Sequence, residues 1–123
     1  MTQLITLEEA KAHLRVDHNL DDDDIDAAIT DASAAVLAYI GDSQYLFLDT
    51  GGDALDLEDT SADQAGLRAQ GICKRATKLL VGSFYRYRDG ASPEARVDPQ
   101  YGYGYLPAAV TALLYPLRDP TIA

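Results

Sequence analysis

The segment with the most chemical potential is Leu46-Phe47-Leu48-Asp49-Thr50-Gly51-Gly52-Asp53, an apolar run that delivers an aspartate into a Gly-Gly turn. If two copies faced each other across a dimer axis, their Asp49 carboxylates would share one proton and activate a water molecule. The competing reading is structural, because Asp and Gly are the residues that tight-turn geometry favours. A second candidate is Asp17, Asn19 and Asp21, at positions 1, 3 and 5 of a calcium-loop spacing. That motif fails twice, with Asp22 where the loop requires Gly and Ala28 where it requires Glu. His13 and His18 lie five apart and do not share a helical face as an i,i+4 metal pair would. Cys73 has no neighbouring base in sequence and reads as a small core thiol. Gly41-Asp42-Ser43-Gln44-Tyr45 lacks the second glycine of a nucleophile elbow, and no Gly-x-x-x-x-Gly-Lys phosphate loop occurs. The residues therefore call for no metal and no cofactor.

The elements that must position these groups are mostly helical. Thr6 and Glu9 make a capping box, followed by Leu7, Ala10 and Leu14 at helical spacing, which predicts a short helix over about 6–16. Asp21, Asp22, Asp23 and Asp24 face the positive end of a second helix dipole, and Ile25, Ala28, Ile29, Ala32, Val36, Tyr39 and Ile40 follow at steps of three and four until Gly41 stops them. Residues 44–57 suggest a short β-hairpin around Gly51-Gly52. Ser61 with Gln64 caps a third and longest helix, expected to run to about Arg88 over roughly 40 Å. It places Ile72, Ala76, Leu79, Leu80, Phe84 and Tyr87 on one face and Arg68, Arg75, Lys78 and Arg86 along a flank. Residues 89–106 hold Pro93, Pro99 and the run Tyr101-Gly102-Tyr103-Gly104-Tyr105, with neither period, and read as a long irregular loop. Pro107 opens a last helix carrying Val110, Leu113 and Leu114, closed by Pro116. The expectation is an all-α, mainly helical bundle of about four helices in a single domain over 1–123.

Charge narrows the function classes. Twenty acidic and ten basic side chains give a net charge of -10 over 123 residues. Phosphate binding draws its free energy from Lys and Arg displacing counterions, so specific nucleic-acid or anionic-membrane binding is disfavoured. Residues 1–60 carry 15 acidic and 2 basic groups, and residues 61–123 carry 5 and 8. A molecule with unlike halves attracts copies of itself head to tail. Lys74, Arg75 and Lys78 then suit a solvated face or a protein partner more than a phosphate. The three tyrosines Tyr101, Tyr103 and Tyr105 read as a docking arm, because tyrosine buries its ring while its hydroxyl stays bonded. No run of apolar residues is long enough to span a bilayer, and the first residues lack a signal-peptide pattern, which points to synthesis in a cytoplasm.

Two resemblances follow. The Asp49 segment resembles the active-site turn of retroviral-type aspartic proteases, but that fold is almost wholly strands, so a dimeric protease using Asp49 is the alternative reading. Residues Thr6 to Asp17 and Asp22 to Gly41 resemble the head-tail connector, or adaptor, family of tailed double-stranded DNA bacteriophages. Leu79-Leu80-Val81-Gly82-Ser83-Phe84-Tyr85-Arg86-Tyr87-Arg88 is similar to that family's long-helix ending, and Leu106 to Arg118 to its C-terminal signature. Residues 42–60 depart from a minimal member. The resemblance implies a non-enzymatic virion protein in the neck, assembling as a ring of usually twelve copies under the portal. It would extend the DNA channel without binding DNA specifically and receive the stopper or tail. Portal contact would fall to Tyr115, Leu117 and Arg118. Independently of the resemblance, the unlike halves and the tyrosine run put contact between subunits or with the tail at Tyr101, Tyr103, Tyr105, Arg68, Arg75, Lys78, Arg86 and Asp21 to Asp24.

Overall fold

The computed structural model describes residues 3–86 and 108–118, and they are mainly helical. Helix α1 (Leu7–Leu14) starts as the capping box requires: the Thr6 hydroxyl accepts from the Glu9 N–H at 3.0 Å and the Glu9 carboxylate accepts from the Thr6 N–H at 3.2 Å. It ends at Arg15, whose φ of 59° lets Val16 N–H turn back to the Lys11 carbonyl at 2.9 Å. Helix α2 (Asp22–Ile40) runs from the acidic cluster to Gly41, whose φ of 63° leaves the helix while its N–H still bonds to the Leu37 carbonyl. Helix α3 (Gln64–Arg86) has 23 residues, about 34 Å. Helix α4 (Ala108–Leu114) is short and passes into a 3₁₀ turn, Tyr115–Leu117, that contains Pro116.

The bundle forms because α2 and α3 each bury one side against the other, the most extensive pairing among these elements. From α2 come Ile25, Ile29, Ala32, Val36 and Ile40, and from α3 come Ala69, Cys73, Ala76, Leu80 and Val81. Val110 and Leu114 of α4 and Ala10 of α1 join the same cluster. The observed centre of the α3 face is rotated from the expected one. Cys73 and Thr77 are fully buried while Ile72, Leu79 and Phe84 sit at the margin. Thr77 can occupy the interior because its hydroxyl donates to the Cys73 carbonyl four residues back, at 2.7 Å. Ser33 is buried for a comparable reason, accepting from the Leu4 N–H at 3.0 Å and so tying the N-terminal segment across α2.

Residues 41–63 differ from the expected hairpin. Gly41–Leu46 forms a 3₁₀ turn, so the Gln44-Tyr45-Leu46 stretch is helical in character, and a single antiparallel bridge, Leu48 to Ala54, remains of the strand pairing. The turn itself is where the Gly-Gly pair put it, with Gly52 at φ 88°. What pulls the segment onto the body is Phe47, 1% exposed and among the largest fully buried side chains described. Gly66 of α3 receives it: a Cβ there would lie 2.4 Å from the Leu46 carbonyl oxygen. Helix α3 also begins later than Ser61 implied, because the Asp63 carbonyl accepts the bond from Leu67 N–H. The Asp63 carboxylate meanwhile accepts from the Glu58 N–H at 2.9 Å. Tyr87 and the irregular loop at 89–106 lie outside the described residues.

Candidate functional site

The Asp49 carboxylate is committed to its own turn. One oxygen accepts from the Gly51 N–H at 2.8 Å and from the Asp53 N–H at 2.9 Å, and the Asp49 N–H donates to the Asp53 carbonyl at 2.8 Å. It therefore braces a loop on the surface of a helical body. The protease expectation is corrected by this geometry, since that chemistry needs a twofold, strand-built site around a pair of aspartates.

The calcium-like spacing is likewise explained by internal bonds. The Asn19 side-chain oxygen accepts from the Lys11 ammonium at 2.8 Å, and the same ammonium pairs with an Asp22 oxygen at 2.8 Å. Asp21 accepts from the Tyr85 hydroxyl at 2.5 Å, which joins the start of α2 to the end of α3. Of the four aspartates expected on an outer docking surface, Asp21 and Asp22 thus turn toward the chain's own helices, while Asp23 and Asp24 are exposed. Among the described residues no group of three His, Cys, Asp or Glu side chains is arranged to hold a metal ion. The His18 ring accepts from the Leu20 N–H at 3.2 Å. Burial pushes the Cys73 thiol up to about 12, so at neutral pH it is an inert core group.

The basic flank of α3 divides. Arg68 and Arg75 are exposed, whereas Lys78 is half-buried with Lys74 on the side facing α1. There the Thr6 backbone N–H, followed by the charges of Lys74 and Lys78, holds the Glu9 carboxyl below its usual range. Arg86 closes the helix. At the other end of the chain, Leu117 packs against the core and the Arg118 guanidinium lies over the Tyr39 ring, 5.7 Å from its centroid. Those two contacts hold the 3₁₀ turn so that Tyr115 stands out at 67% exposure. The sequence placed Tyr115, Leu117 and Arg118 together, and the structure separates one outward ring from two anchors. Tyr101, Tyr103 and Tyr105 lie outside the described residues. Sequence reasoning did not single out the exposed apolar side chains Tyr45, Leu46 and Leu55 on the 41–57 segment, since a hairpin pattern alone does not say which side meets the core.

These features define a class: a small acidic helical domain with outward-facing charged helix sides and a braced C-terminal turn. No helix among the described residues is long and apolar enough to cross a membrane. The model of the phage gp6-like head-tail connector proteins matches residues 4–118, and the chain belongs to that family. It is a family of structural connectors of the phage particle and not a family of enzymes, which places the protein at the junction of head and tail. No curated protein and no solved structure matches the chain.

Proposed function

We propose that this connector closes into a ring beneath the portal, of about twelve copies as the resemblance implies, extends the DNA channel and receives the stopper or tail. The observation that carries the reading is family membership over residues 4–118. The charge distribution agrees with it. A net charge of -10 gives a channel wall that repels the phosphate backbone, so double-stranded DNA passes without specific binding. Portal contact is assigned to the C-terminal turn. Tyr115 presents an exposed ring, and Leu117 and Arg118 hold it at a defined angle, which lowers the ordering cost of docking. Tyr101, Tyr103 and Tyr105 act as an arm toward a neighbour or the tail.

The test is an electron micrograph of the purified portal mixed with this protein. The expected particle is the portal with an added coaxial ring and an open channel. A protein that stays strictly monomeric, neither decorates the portal nor occurs in virions, sinks the proposal. Tyr115→Ala should weaken portal decoration while leaving the helical circular dichroism spectrum unchanged.

A further inference from the structure

Asp24, Ala27 and Asp31 of α2 are all exposed, and so are Arg68, Gly71 and Arg75 of α3. On each helix the offsets are three and then four. At about 100° per residue each trio therefore occupies one narrow ridge, with its two charges about 10.5 Å apart along the axis. One ridge reads acid, small, acid, and the other reads base, small, base, in the same order along the chain. Each ridge lies on the side of its helix away from the core. Because α2 and α3 pack through their buried sides, the two ridges point away from one another.

Gly71 supplies an observation independent of charge. Glycine inside a helix is less favourable than alanine and persists where a close approach needs it. Gly66 meets that condition within the chain, through the Leu46 carbonyl oxygen. Gly71 does not, since apart from its chain neighbours and the backbone of its own helix no described atom lies within 4 Å of a Cβ built there. Its bare backbone faces outward, between two arginines.

We propose that α2 of one copy lies along α3 of the next, parallel, with Asp24 opposite Arg68, Ala27 opposite Gly71 and Asp31 opposite Arg75. The small pair lets the helices approach, and the two charge pairs fix register and direction. Unlike surfaces on opposite sides of one molecule make a head-to-tail contact, which closes into a ring when the rotation between copies closes. The inference rests on the ring reading above and specifies the contact that builds it.

The experiment uses two variants of the full chain, Asp24→Lys with Asp31→Lys, and Arg68→Glu with Arg75→Glu. Assembly is read by native mass and by micrographs with the portal, after circular dichroism and thermal melts establish that both fold. Each variant alone should lose ring formation, since every contact then opposes like charges. Mixed in equal amounts they should assemble again as alternating copies, because each contact regains opposite signs. Asp31→Lys alone, a mid-helix exposed change, should weaken assembly in the same direction and guards against a folding defect in the double variant. Gly71→Leu should block assembly without lowering the melting temperature of the monomer. Variants that form rings as the unaltered chain does overturn the ridge pairing and leave the ring intact. An unaltered chain that forms no ring, alone or on the portal, overturns the ring reading and the pairing with it.

Discussion

The helical body and the 41–63 connection are held by different physics. In the body, α2 and α3 contribute fully buried side chains at steps of three and four, so stability is distributed over many contacts of similar size. The connection has no core of its own. It is shaped by local polar bonds, those of Asp49 to its turn, of Asp63 to the Glu58 N–H and of Asp59 to the Gln64 side chain at 2.7 Å, and it is attached through Phe47 and Leu48. It also carries three of the exposed large apolar side chains, Tyr45, Leu46 and Leu55. A segment can thus belong to a domain through one aromatic plug while its remaining surface stays available to partners.

The sharpest way to break this contrast is Phe47→Ala. It should cost about 3–5 kcal/mol in denaturant unfolding, at least as much as Leu80→Ala in the body at about 2–5 kcal/mol. A loss below about 1 kcal/mol would mean that the connection is an ornament on an independent bundle. Next in size, Gly66→Ala should destabilise by about 1–3 kcal/mol, since its methyl group meets backbone and something must shift. Its counterpart in the same helix, Gly71→Ala, should stabilise the monomer by about 0.5–1 kcal/mol because the site is open. Equal effects at the two glycines would erase the distinction between an internal close approach and an outward-facing one.

Smaller again, Asp49→Ala should cost about 1 kcal/mol through lost turn bonds. Asp49→Asn, which keeps an acceptor oxygen, should be close to neutral in the same melt. The smallest expected effect is at the capping box of α1. Glu9 ionises below its ordinary 4.5 in the folded chain, chiefly through the Thr6 N–H. Its contribution is therefore fully present above pH 4.5 and is lost as pH falls through the lowered folded value. Exposure keeps it small, and Glu9→Gln should remove that part of the acid dependence measured by thermal melts.

Much of the molecule was legible from local pattern. The Thr6 capping box, the run of aspartates at the start of α2, the stop at Gly41 and the brief α4 before Pro116 all appear where the residues indicated. The strand reading of 44–48 erred because an apolar run as short as Tyr45-Leu46-Phe47-Leu48 is compatible with a strand or with a helical turn, and only docking against α3 selects between them. The α3 face was misjudged for a related reason. Cys73 and Thr77 carry weaker hydrophobic signals than Ile72 and Leu79, yet the approach of α2 decides which side is sealed.

By itself the sequence determined the helices, the Thr6 capping box, the stop at Gly41, the uneven charge and the family, because each is encoded in neighbours a few residues apart or in ordered local segments. The tertiary structure alone decided that Asp21 bonds to Tyr85, that Phe47 closes the core, that Arg118 lies over Tyr39 and that Gly71 faces outward. Those outcomes depend on how separate elements meet. Residues 64 apart along the chain become partners only when packing has fixed the relative positions of the helices that carry them.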